Sequence, residues 1–196
     1  MTSRFNPQTV AVAFGQTVDA YPDRTAYIDQ GESYSWRQID GLVQAWVHQL
    51  HALGVGKGDR IAVILPNGLP WVLSYLACAR LGAVLVGLSV RYRQSELDFM
   101  LADSEVKAVL APREFAGFDF TSYLGQVQQR LGQQKHLIWI EPDFVQNLAP
   151  AADESTPIAG PAPDASLTII YTSGTTGEPK GVLLETPDDI TRAARE

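Results

Sequence analysis

Residues 172–181 read TSGTTGEPKG. Three glycines (Gly174, Gly177, Gly181), four hydroxyls (Thr172, Ser173, Thr175, Thr176) and one cation (Lys180) share ten positions. Each residue type has a task at a polyphosphate. Glycines allow positive φ and let backbone N–H groups converge on an anion without a Cβ in the way. Hydroxyls donate further hydrogen bonds, and the Lys ammonium supplies a compact positive charge. The pattern is not GxxxxGK[ST]. Counted from Gly174, that motif needs Gly where Pro179 stands and Ser or Thr where Gly181 stands. Composition by itself fits a Gly/Thr-rich surface turn equally well, so the elements around the segment matter.

Immediately before it, LTIIY reads as an apolar strand, and GVLL after it reads as another. The loop is therefore expected to bend between two strands rather than feed a helix. Upstream, RIAVIL, AVLVGL, KAVLA and HLIWI are short runs apolar on both faces, separated by helical segments. That rhythm predicts an α/β fold, a doubly wound and mainly parallel sheet with helices on both faces. Ligands bind such sheets at the carboxyl ends of the strands, where this loop would sit.

The first 50 residues differ. NPQTVAVAFGQTVDAYP predicts a helix capped by Asn6, with Pro7 at its first position and Val10, Phe14 and Val18 on one face. Two short strands follow about Gly31. Ser35 and Gln38 have capping-box spacing and open a helix whose apolar face is Ile39, Leu42, Val43, Trp46, Val47 and Leu50, ending at Gly54. Ser95 is expected to cap a helix through about Met100. Residues 1–50 thus pack on or extend a main unit at 51–184, and 185–196 form a tail, either a capped helix or disordered. Within the main unit, residues 141–166 are rich in Pro, Ala, Asp and Ser and read as a surface connection.

Composition narrows the function classes. Hydrophobic residues make up 45% of the 196 and charged residues 19%, an ordinary globular balance. The formal net charge of −7 argues against nonspecific nucleic-acid binding, which needs a surplus of Lys and Arg. No apolar run approaches the roughly 18 residues of a membrane span, and the first residues lack a signal-peptide core, so a cytoplasmic protein is expected. Cys78 is the single cysteine and lies among apolar residues at helical spacing, which predicts a buried, unreactive thiol.

Taken in order, YTSGTTGEPKGV (171–182) resembles the phosphate-loop signature of the adenylate-forming superfamily, without a gap. The segments 23–40, 54–68 and 77–101 are similar in order and spacing to the N-terminal part of acyl-CoA synthetases in that superfamily. The resemblance implies a two-step ligase reaction with ATP, Mg2+ and coenzyme A. A carboxylic acid attacks the α-phosphorus of ATP to give an acyl-adenylate and pyrophosphate, and a thiol then displaces AMP. It also implies that Thr172, Ser173, Gly174, Thr175, Thr176, Gly177, Lys180 and Gly181 hold the β- and γ-phosphates, with Lys180 catalytic at the departing pyrophosphate. Counterparts of the family's later motifs do not follow Leu184. The expectation is an N-terminal portion of such a ligase, inactive alone, with exposed sheet surface that favours a homodimer. The alternative is a non-catalytic truncated α/β module that binds nucleotide phosphates or a partner protein.

Other segments read as structural. GVGKGD (54–59) lacks the last glycine of GxGxxG, because Asp59 stands there, and it lies after a helix rather than a strand, so it reads as a helix C-cap and turn. His48 and His51 sit on the polar side of a helix with no metal-ligand spacing around them, and no metal site is expected. Arg91 and Arg93 form a small basic cluster, read first as ordinary surface and second as able to approach an anion. Trp36, Trp46, Trp71 and Trp139 fall at apolar positions and are expected in the core.

Overall fold

The computed structural model describes residues 9–131, 136–148, 166–172 and 179–185. Helix α1 (Val10–Ala20) is capped by Thr9, whose Oγ1 accepts the Val12 N–H at 3.3 Å. This corrects the expected start. Asn6 and Pro7 lie outside the described residues, and the extended backbone and hydroxyl of Thr9 perform the capping. Strands β1 (Thr25–Asp29) and β2 (Glu32–Ser35) form an antiparallel hairpin. Gln30 and Gly31 turn it with φ +50° and +90°, the left-handed pair that matches the twist of the strands.

Helix α2 (Trp36–Ala52) carries the capping box: Gln38 N–H donates to Ser35 Oγ at 3.3 Å, and Ser35 N–H donates to Gln38 Oε1 at 2.8 Å. Its buried side chains include Ile39, Val43, Trp46, Val47 and Leu50. The helix crosses from residue 50 to 51, so the N-terminal elements and the main unit share it.

Three βα steps and a further strand follow: β3 (Arg60–Val63), α3 (Leu69–Leu81), β4 (Val84–Gly87), α4 (Gln94–Asp103), β5 (Ala108–Ala111), a hairpin of β6 (Glu114–Phe115) and β7 (Phe118–Asp119), α5 (Phe120–Leu131) and β8 (His136–Trp139). Helix α4 corrects a second boundary. It is capped at Arg93, whose N–H donates to Glu96 Oε2 at 2.8 Å, and Ser95 lies inside its first turn. Helix α6 (Phe144–Asn147) lies in the stretch expected to be surface connection. Phe144 and Leu148 are buried, and the Phe144 ring meets Trp46 edge-on at 4.9 Å. Residues 141–148 are therefore core-anchored, because two apolar side chains reach a pocket over α2. Residues 149–165 fall outside the described residues.

Strands β9 (Ser166–Thr172) and β10 (Lys180–Glu185) complete a six-stranded sheet in the order β10–β9–β4–β3–β5–β8. Only the β9–β10 pairing is antiparallel; the other four are parallel. Alternation sends Ile61, Val63, Leu85 and Leu110 to one face, against α1, α2, α3 and α6. Ala62, Ile64, Val86 and Val109 go to the other face, against α4 and α5. The mainly parallel sheet covered on both faces is the predicted architecture. Trp46 is fully buried, while Trp36, Trp71 and Trp139 are half-buried against the two cores.

Candidate phosphate site at the strand ends

Strand β9 is paired with β4 through Leu85–Thr168, Val86–Ile169 and Gly87–Ile170, and runs on past the end of β4 to Thr172. The chain then re-enters the sheet at Lys180, directly opposite Thr172 in the antiparallel ladder. Thr172 and Lys180 thus bracket the glycine- and hydroxyl-rich segment from the two sides of one rung. Both are exposed, and Lys180 has no ion-pair partner among the described residues. Ser173, Gly174, Thr175, Thr176 and Gly177 lie outside the described residues. The predicted exit into a strand rather than a helix is observed.

Gly181 follows on β10, opposite Tyr171. Its backbone is not in the positive-φ region, so conformational freedom is not the reason for glycine here. Space is the reason. A Cβ at Gly181 would lie 3.2 Å from Ile169 Cγ2 and 3.3 Å from Tyr171 Cζ, because the Tyr171 ring lies across it. The Tyr171 hydroxyl donates to Asp103 Oδ2 at 2.6 Å, at the end of α4. Burial, then the bonded Asp103 carboxylate, push the Tyr171 phenol well above its ordinary range.

The crossover after β3 leads to α3 on one face, and the crossover after β4 leads to α4 on the other. The carboxyl ends of these two strands therefore part, which is where open sheets bind ligands. A cavity of about 710 Å³ opens there. Leu65, Leu88, Ile170 and Leu184 supply apolar wall, with Trp71 and Tyr75 stacked at 5.7 Å and 11° on one side. Asn67, Ser89 and Arg91 supply polar groups. Burial raises the Tyr75 phenol above its ordinary value.

The basic cluster divides in this setting. Arg93 Nη1 donates to the Arg91 and Tyr92 carbonyl oxygens at 2.9 and 3.0 Å, and its guanidinium lies 5.0 Å over the Phe118 ring. Arg93 is thus structural, while Arg91 lines the cavity. Asn67 and Ser89 were not singled out from sequence; their positions just after β3 and β4 were the available signal.

The segments read as structural behave so. Gly54 ends α2 at φ +78°, and Asp59 Oδ2 accepts the Gly56 N–H at 2.8 Å, which makes 54–59 a cap and turn. His48 pairs with Gln44 at 2.9 Å. Cys78 is buried, and burial pushes its thiol up to about 12. No helix among the described residues is long and apolar enough to cross a membrane.

A model of the family described as AMP-binding enzyme matches residues 14–196. The chain is 32% identical over 182 residues to the medium-chain fatty-acid–CoA ligase of Escherichia coli (strain K12), covering 86% of this chain and 31% of that protein. It is 30% identical over 171 residues to the long-chain-fatty-acid–CoA ligase FadD13 of Mycobacterium tuberculosis (strain H37Rv), covering 86% of this chain and 33% of that protein. It therefore spans about a third of the length of these relatives. Among solved structures, the inhibitor-bound N-terminal domain of FACL13 from Mycobacterium tuberculosis superimposes with a TM-score of 0.72 at 29% identity, covering 91% of this chain and 44% of that one. The Klebsiella oxytoca NpsA N-terminal subdomain shares the fold, with a TM-score of 0.72 at 20% identity over 92% of this chain and 43% of that one.

Proposed function

Because the chain belongs to the AMP-binding enzyme family, we propose that it is the N-terminal portion of an ATP-dependent, AMP-forming acyl-CoA ligase. Its own contribution is the clamp for the β- and γ-phosphates of ATP. The observation that carries this reading is the single rung of Thr172 and Lys180 at the carboxyl end of β9, bracketing the TSGTTGEPKG segment. An exposed ammonium with no carboxylate partner among the described residues fits a polyanion. Lys180 neutralises charge that builds on the departing pyrophosphate, and the hydroxyl of Thr172 adds a donor beside it. Ser173, Thr175 and Thr176 carry further hydroxyls, and glycine at 174 and 177 carries no Cβ to stand between backbone and anion.

When bound, Mg2+ would share this neutralisation, and coenzyme A would accept the acyl group in a later step. No residue described here is assigned to hold either. The substrate is a carboxylic acid, and the protein works in the cytoplasm. Positioning dominates such chemistry, so a clamp without groups to hold base, ribose and acid gives little turnover. The chain spans about a third of these relatives' length, and by itself it is a weak polyphosphate binder and not a competent ligase. Among the described residues strand β10 is a sheet edge, and Ile170, Val182 and Leu183 are 45, 44 and 47% exposed. Two copies of the chain associate through this surface.

Binding of ATP and of inorganic pyrophosphate to the chain, measured by calorimetry, tests the reading. Lys180→Ala is expected to weaken both by about tenfold or more, the scale of a hydrogen bond to a charged group. Unchanged affinity in Lys180→Ala would overturn the assignment. Pyrophosphate release from ATP with a panel of carboxylic acids should stay at background, and clear turnover would contradict the incomplete-ligase reading.

A further inference from the structure

The residues that set the Thr172–Lys180 rung lie below it, on the opposite face of the sheet. Lys180 stands on a strand whose one sheet neighbour among the described residues is β9. The placement of its ammonium therefore depends on how firmly β9 and β10 are held at that rung. Tyr171 and Gly181, the adjoining pair, are fastened at three points. The Tyr171 ring, only 7% exposed, lies across Gly181, where a methyl group would crowd it at 3.3 Å. Its hydroxyl approaches Met100 O at 3.3 Å and donates to Asp103 Oδ2 at 2.6 Å, both on α4. One peptide link joins Tyr171 to Thr172, and one joins Gly181 to Lys180.

From this geometry we infer that Asp103 is a positioning residue of the phosphate clamp, acting through Tyr171 and Gly181 to hold the Thr172–Lys180 rung on α4. Asp103 lies on the far face, where it accepts the Tyr171 hydroxyl. It fixes the tyrosine, the tyrosine fixes the flat backbone at Gly181, and Lys180 inherits its place. The glycine after the lysine thus serves the clamp by accepting an aromatic ring. The functional half of this inference rests on the phosphate-clamp reading above. The mechanical half stands on the contacts alone.

Two measurements on the intact chain separate these halves. Amide hydrogen exchange at Thr172, Lys180 and Gly181 reads the mechanical link, with Ala62 and Val109 in the central strands as internal reference. Titration with inorganic tripolyphosphate reads the functional one. Asp103→Ala and Tyr171→Phe are expected to speed exchange at the rung by about tenfold, the scale of one charge-assisted hydrogen bond, and leave the reference amides unmoved. Tripolyphosphate affinity should fall several-fold alongside. Asp103→Asn keeps an acceptor for the tyrosine and should recover most of both effects. Gly181→Ala, which displaces the ring without touching Asp103, should reproduce the loss.

Exchange unmoved at the rung, or raised equally in the central strands, would overturn the link. Slowed or unchanged exchange in Gly181→Ala would do the same for the glycine's part. If wild type and Lys180→Ala bind tripolyphosphate equally, the clamp reading falls and takes the functional half with it. The exchange result still decides whether Asp103 holds the rung.

Discussion

Lys107 and Asp59 form an ion pair at 2.8 Å between the approach to β5 and the turn before β3. The Lys107 ammonium also donates to the Gly54 carbonyl at 2.6 Å, and Asp59 Oδ2 accepts the Gly56 N–H. One carboxylate and one ammonium thus close the end of α2 against two strands. Asp59→Ala removes the acceptor from both donors and should destabilise the chain by about 2 kcal/mol, as expected for hydrogen bonds to charged groups. A urea titration checks this; a midpoint equal to wild type would show that the turn holds without Asp59.

Phe144→Ala tests whether residues 141–148 belong to the core. The ring is 9% exposed and packs edge-on against Trp46. Its removal should destabilise the chain by about 3 kcal/mol or more, the usual range for a buried Phe→Ala change. Trp46 fluorescence should shift with it. A loss below about 0.5 kcal/mol, typical of exposed positions, would return the segment to the surface.

The buried Cys78 thiol predicts an alkaline weakness. Its folded value of about 12 lies above the ordinary 9.0, because burial disfavours the thiolate. Between those two values the unfolded chain loses a proton that the native chain keeps. The stabilisation is fully present below about pH 9 and is lost as pH rises toward 12. Tyr123 and Tyr171 are displaced in the same direction and steepen the fall. Urea midpoints measured from pH 8 to 11 should decline, and less steeply in Cys78→Ala. At neutral pH a thiol reagent should label Cys78 at the rate of unfolding, and immediate labelling would show that it is exposed.

Sheet-edge association predicts a concentration-dependent sedimentation coefficient. Val182→Lys with Leu183→Glu places charge on both faces of β10 and should shift the chain to monomer at high concentration. Wild type that sediments as a monomer throughout would rule out this interface.

The strands were legible because each is a short run buried on both faces, as in RIAVIL and KAVLA, and α2 because its capping box and apolar stripe agree. The order of the strands was not, since β9 takes its place beside β4 through pairings between segments remote in sequence. Residues 141–148 gave no helical period, and the burial of Phe144 depends on a pocket made by α2. The β6–β7 hairpin turns on Ala116 and Gly117 at φ +49° and +76°, and alanine in that region is not a turn signal. At the site, residue order alone gave the expectation of a phosphate-holding segment. Its hold on α4 was invisible, because Asp103 and Tyr171 are 68 positions apart.

That separation bears on how the chain assembles. Strands β3, β4, β5 and β8 are linked by compact crossovers, so their pairing closes short loops. Strand β9 must pass β8, β5 and β3 to reach β4, so Leu85 and Thr168 pair across 83 positions, against 24 for Arg60 and Val84 and 28 for Ala108 and His136. The β9–β10 hairpin is thus the expected last arrival in folding. In pulse-labelling exchange its amides should gain protection after those of Ala62 and Val109. A newly made chain would then pass through an interval with a formed core and with Thr172 and Lys180 not yet paired.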